Sequence, residues 1–195
     1  LMAPPGSFYN YSNPNFVLAG LVTEELDASR AWPDIMVEDV YQPLGMDRTW
    51  LRRAEVAADG DYAESYGFGL STLQTGELIH VTLYDTPDPA WARPAGLAWS
   101  TPTQMLTWAQ FLLHGDEAVL ADDLRESMME PQVSTLYSDT SFYGYGLFVD
   151  QGITVSETEH YEMPVISHGG NTLSFSSELY LLPEERVERG LSLHR

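Results

Sequence analysis

Near its C-terminal end the chain reads Val165-Ile166-Ser167-His168-Gly169-Gly170-Asn171, and near its start Pro5-Gly6-Ser7-Phe8-Tyr9-Asn10-Tyr11-Ser12-Asn13. The β-branched pair Val165 and Ile166 predicts a strand, and it runs directly into a histidine and two glycines. Glycines at the end of a strand leave room for another backbone to approach its edge. The earlier stretch is irregular and feeds a helix. Asn13 is the expected N-cap, Pro14 suits the first helical position, and Val17, Leu18, Leu21, Val22 and Leu26 follow at helical spacing.

Outward from these two stretches the pattern is helical first and strand-rich later. Pro33 opens a shorter helix carrying Ile35, Met36, Val40 and Tyr41, which Pro43 stops. Residues 45–69 read mostly as loop, and 70–84 as a hairpin turning at Thr75-Gly76. The clearest helix starts with Thr101 as cap, Pro102 at the first position and Gln104 completing a capping box. Met105, Leu106, Ala109, Leu112 and Leu113 form its apolar stripe, and Gly115 ends it. A short helix is expected over 122–130. Tyr143 to Val149, Thr154-Val155, Val165-Ile166 and Ser177 to Leu182 read as strands. The fold class is therefore α+β: a mostly helical lobe over 1–135 and part of an antiparallel sheet over 136–195, as lobes of one structural domain.

Composition narrows the chemistry. There are 29 acidic and 9 basic residues, a formal charge of −20, and every basic residue is an arginine. Without lysine there is no P-loop lysine, no Schiff base and no lysine general base. So acidic a chain repels nucleic acid and anionic membrane surfaces. With no cysteine, a disulfide scaffold, a thiolate nucleophile and a Cys-based zinc site are excluded. The longest nearly apolar run, Phe16 to Val22, is seven residues, whereas a spanning helix needs about 20.

Motif search removes further classes. No G-x-S-x-G elbow, Walker loop, complete G-x-G-x-x-G or H-E-x-x-H occurs. No metal site is expected from His80, His114, His160, His168 and His194, which include no pair at helical ligand spacing. What remains is an ordered set of landmarks. They are Tyr11-Ser12-Asn13 at a helix start, Tyr41-Gln42-Pro43-Leu44-Gly45-Met46 closing the next helix, and Ala95-Gly96-Leu97-Ala98-Trp99-Ser100-Thr101 before the capped helix. The glycine-punctuated Tyr143 to Val149 and His168-Gly169-Gly170 complete the series. In this order, over residues 5–183, the chain resembles the penicillin-recognising serine hydrolases: class C-type β-lactamases, D,D-peptidases, D-aminopeptidases and related esterases.

The resemblance implies a β-lactamase/transpeptidase-like fold and a site made of S-x-x-K, Y-x-N and K-T-G or H-x-G elements. Tyr11 would relay the proton of the nucleophile, and Asn13 would hydrogen-bond the substrate amide. A phenol has an ordinary pKa of about 10, so such a relay needs neighbouring cations to act as a base near neutrality. His168 would stand where lysine is common, lending a donor or partial positive charge towards Tyr11 or the substrate. Gly169 and Gly170 would admit the substrate backbone, and the Asn171 N–H would serve as an oxyanion donor. Taken singly, each has a plainer reading: Tyr11 as an ordinary aromatic, Asn13 as a helix cap, His168 bonded to a carbonyl, and Gly169-Gly170 as a turn.

The S-x-x-K element has no counterpart in a chain without lysine, and the nearest imitation, Ser192 to Arg195, ends in a residue that does not deprotonate. The expectation is thus a piece of the family domain, truncated at both ends, from a hydrolase that acylates a serine on an amide, ester or β-lactam. The alternative is a non-catalytic penicillin-binding-like or scaffolding relative. The partner is a small-molecule or peptide substrate, with no cofactor, no nucleic acid and no membrane span; the oligomeric state is left open. The resemblance implies a periplasmic or extracellular setting.

Overall fold

The computed structural model of the chain describes residues 4, 6–68, 75–156, 158–172 and 174–183. It divides into two units. The first draws on the described residues of Leu1–Tyr11, Leu106–Gly169 and Glu178–Arg195, and the second on those of Ser12–Met105 and Gly170–Ser177.

In the second unit, α1 (Asn13–Asp27) starts one residue earlier than the sequence predicts. Ser12 occupies the N-cap position and Asn13 is the first helical residue, so Asn13 does not cap the helix. Its apolar stripe does not enter a core: Leu18, Leu21, Val22 and Leu26 are all exposed, Leu26 by 81%. Instead, α1 makes its close approach through Gly20, where a Cβ would overlap the ring of Pro94 in the 3-10 turn Ala90–Ala95. Helix α2 (Trp32–Met36) runs into a π-helical turn, Val37–Tyr41, which ends just ahead of Pro43. The segment read as loop contains α3 (Arg53–Asp59) and β1 (Ser65–Phe68). Glu55 accepts from the Arg52 backbone N–H at the start of α3, and the Arg52 guanidinium reaches Asp34 of α2 at 2.8 Å. Strand β1 pairs antiparallel with β2 (Leu78–Val81), with Ser65 opposite Val81 and Phe68 opposite Leu78. Thr75-Gly76 forms a turn, with Gly76 at φ +70°, but the expected register about it is not the one observed: Phe68 stands opposite Leu78, so the connection between the two strands runs from 69 to 77. The expected first arm, 70–74, lies outside the described residues, and the observed arm is Ser65–Phe68. Ile35, Met46, Leu51, Val56, Val81 and Leu83 are buried in this unit.

Helix α4 (Pro102–His114) has the predicted bounds. The Thr101 hydroxyl accepts from Gln104 N–H at 3.2 Å, but the Gln104 side chain accepts from Arg48 N–H, which takes the place of the second half of a capping box. Ala109, Phe111 and Leu112 are its buried residues, while Leu106 of the expected stripe is exposed. Helix α5 is Asp122–Met128.

The first unit is built on a five-stranded sheet. Its strands, in order across it, are β3 (Val133–Ser134), β4 (Ser141–Tyr143), β5 (Phe148–Asp150), β8 (Val165–Asn171) and β9 (Ser176–Leu181). A separate hairpin pairs β6 (Ile153–Ser156) with β7 (Glu159–Tyr161). The single strand expected over 143–149 is a hairpin: Gly144 N–H donates to Leu147 O at 2.8 Å, and the turn separates β4 from β5. Gly144 has no room for a side chain, because a Cβ there would lie 2.7 Å from Met128 O at the end of α5. Tyr143, Leu147, Val149, Val165, Ile166 and Leu181 join the α4 residues in the buried set.

Candidate active site

Strand β5 pairs with β8 only over Val165 to Ser167, with Phe148 opposite Ser167. The segment from His168 to Asn171 therefore runs past the end of β5, and on that side its backbone is not part of the β5 ladder. A strand edge that lies outside a ladder on one side, beside two glycines, is able to take an extended acyl or peptide group in backbone hydrogen bonds. Burial along β8 falls from buried at Val165 to exposed at Gly170 and Asn171, so this end faces solvent.

At the start of this stretch, His168 sits in an aromatic cluster within the first unit. Its ring lies 5.6 Å from Phe148, 6.0 Å from Tyr143 and 6.1 Å from Tyr11. Phe148 meets Tyr143 edge to face at 4.8 Å, and Tyr9 packs on Tyr143 at 5.2 Å. Contacts of this kind add roughly 0.5–1.5 kcal/mol per pair beyond area burial, so the cluster holds its rings firmly. Tyr11, half exposed at 49%, stands edge-on to Tyr143 at 6.3 Å.

Both His168 ring nitrogens have partners. Nδ1 lies 2.6 Å from the Gly169 carbonyl oxygen, and Nε2 lies 3.1 Å from the Tyr143 hydroxyl. A carbonyl only accepts, so Nδ1 carries a proton; in the neutral form of the ring Nε2 accepts and the Tyr143 O–H donates. Burial, then the nearby Tyr11 and Tyr9, push the Tyr143 phenol well above its usual range. It stays protonated and remains a donor. Burial and the neighbouring Tyr137 push Tyr9 up to about 12.

The structure thus brings Tyr11, His168 and Gly169 together in the first unit. Asn13, Gly170 and Asn171 belong to the second unit, and all three are exposed. Gly169 adjoins β9, where a Cβ would meet the Glu178 carboxylate at 2.7 Å; at Gly170 the neighbour is Ser177 Oγ at 2.9 Å. Among the described residues no group of three His, Asp or Glu side chains is placed to hold a metal ion. No described helix is long and apolar enough to cross a membrane. Sequence reasoning missed Tyr143 as part of this cluster. Its signal was available in the glycine-punctuated segment, where Tyr143 is the last residue before Gly144 and so closes a strand beside the site.

Comparison with known proteins agrees with this architecture. The curated relative "Unguisins hydrolase ungD'" of Aspergillus campestris is 28% identical over 186 residues, which is 93% of this chain and 32% of that protein. Among solved structures, the octameric penicillin-binding protein homologue of Pyrococcus abyssi superposes with a TM-score of 0.75 at 20% identity, over 94% of this chain and 38% of that one. The D-stereospecific amidohydrolase of a Streptomyces species gives 0.71 at 26% identity, over 93% and 49%. The class C beta lactamase of Rhodobacter sphaeroides gives 0.67 at 17% identity, over 90% and 52%. The chain spans about a third of the curated relative and between about two fifths and half of these solved chains. The beta-lactamase family model matches residues 1–192, and with the mixed helix and antiparallel-sheet fold in place, the chain belongs to the beta-lactamase family.

Proposed function

We propose that this chain carries the tyrosine and strand-edge part of an acyl-transfer site in a serine hydrolase that works through an acyl-enzyme on an amide, ester or β-lactam. Tyr11 relays the proton of the nucleophile, Asn13 binds the substrate amide, and His168, Gly169 and Gly170 line the substrate along the open end of β8. Asn171 N–H helps hold the oxyanion; in other hydrolases, loss of one such donor lowers turnover by roughly 10²–10³. The observation that supports this most is the placement of the Tyr11 ring 6.1 Å from His168 at the point where β8 leaves the β5 ladder.

In this reading the nucleophilic serine and its lysine come from outside the 195 residues, which contain no lysine. In this reading that lysine supplies the positive charge that makes a phenol a base near neutrality, while both His168 nitrogens bond the Gly169 carbonyl and the Tyr143 hydroxyl. The 195-residue chain alone does not acylate. The substrate is a small molecule or peptide. A histidine where lysine is common also favours substrates without an obligatory carboxylate. The absence of lysine equally fits a non-catalytic relative that keeps the cleft, which is the second reading. The coding sequence upstream separates the two. An in-frame S-x-x-K whose serine is labelled by fluorescent penicillin or a p-nitrophenyl ester in the longer product supports the hydrolase; its absence overturns it.

A further inference from the structure

The hydroxyl of Tyr143 meets the candidate site histidine. Tyr143 is 8% exposed, its ring is fixed against Phe148 and Tyr9, and its hydroxyl meets Nε2 of His168 at 3.1 Å. On the other side of the imidazole, the Gly169 carbonyl takes Nδ1–H at 2.6 Å. A neutral imidazole has one donor and one acceptor, and here each is matched by a group of opposite kind. We propose that Tyr143 is a positioning residue of this site: the Gly169 carbonyl holds the proton of His168 on Nδ1 and the Tyr143 hydroxyl holds Nε2, so that neither ring nitrogen is turned towards a bound acyl group.

This inference rests on the site proposed above and deepens it. A ligand carboxylate at this end of β8 gains most from a side-chain N–H or positive charge beside the backbone donors, and the His168 ring, with both nitrogens engaged, presents no free N–H. An uncharged ester or amide needs neither from this residue, since the β8 backbone supplies its hydrogen bonds. Tyr143 therefore biases the site towards uncharged acyl compounds. A purely packing role would be kept in full by phenylalanine, which retains the ring and loses only the hydroxyl.

The test is long-range proton–nitrogen correlation NMR of the 15N-labelled full chain without substrate, with the His168 signals assigned from a His168→Gln variant. The expected pattern is a single tautomer with Nδ1 protonated and Nε2 unprotonated but displaced towards the hydrogen-bonded range. In Tyr143→Phe, Nε2 moves to the position of a free acceptor while Nδ1 stays in place. In Phe148→Leu, which removes a packing partner and keeps the hydroxyl, Nε2 remains hydrogen-bonded. A wild-type ring protonated at Nε2, a mixture of tautomers, or a free Nε2 would overturn the proposal. So would an Nε2 signal that Tyr143→Phe leaves unmoved. The wild-type spectrum decides even where a variant fails to fold. Because no substrate enters the measurement, its outcome is independent of whether the parent protein acylates a serine.

Discussion

Gly20 sets two opposing effects of known size against each other. It lies mid-way along α1, where replacing glycine by alanine normally stabilises by about 1 kcal/mol, because the unfolded chain loses less freedom. Here the new methyl would fall well inside contact distance of Cγ and Cβ of Pro94, while its approach to Trp32 Cδ1, at 3.5 Å, is ordinary. A proline ring has no alternative rotamer to swing into, so either α1 or the Ala90–Ala95 turn must move. Overpacking of this kind costs about 1–3 kcal/mol. Net, Gly20→Ala is expected to destabilise by up to about 2 kcal/mol, or by up to roughly 8 °C in Tm for a chain of this length. Thermal unfolding followed by circular dichroism gives the sign. The partner measurement is the same substitution in a Pro94→Ala background, where the obstructing ring is gone and most of the loss should vanish as coupling between the two sites. A Gly20→Ala protein more stable than wild type, or an equal loss in both backgrounds, would refute the account of how α1 packs.

Arg125 is 5% exposed and donates to the Leu112 carbonyl at the end of α4 at 2.6 Å, with Asp122 at 3.0 Å. Arg125→Met leaves that carbonyl without a buried partner and should cost about 1–3 kcal/mol in urea denaturation; a change under about 0.5 kcal/mol would contradict it. Arg30, then Ser29, hold the Asp27 carboxyl well below the usual carboxylate range. Since the folded value is the lower one, the stabilisation is present above the unfolded value of about 3.9 and is lost as pH falls below it. Arg30→Met should raise the Asp27 midpoint in a carboxyl 13C titration and flatten the loss of stability below about pH 4; an unmoved midpoint would count against the pairing.

The parts of the fold legible in the sequence are those with local chemistry. Thr101, Pro102 and Gly115 bound α4 because capping and chain-breaking act within a few residues. Helix α3 carries a weaker signal: Glu55 and the closing Gly60 act locally, but an arginine stands at its N-cap, only Val56 is buried, and Arg52 also reaches Asp34, an ion pair no local pattern reveals. Strand β1 inverts the usual alternation, with Ser65 and Gly67 buried and Tyr66 73% exposed, so its inward positions read as loop. The spacing along α1 correctly gave a helix but not its packing, which runs through the one position without a side chain. At the site, ordered motifs pointed to Tyr11 and His168, whereas the hydroxyl of Tyr143 on Nε2 depends on strand pairing 25 residues apart.

The proposal that these residues supply the tyrosine and strand edge of an acyl-transfer site, but not its nucleophile, is tested most directly by intact-mass spectrometry. The 195-residue chain would be incubated with benzylpenicillin and, separately, with a p-nitrophenyl ester. The expected result is an unchanged mass in both cases. A stable acyl adduct on any serine of this chain would contradict it.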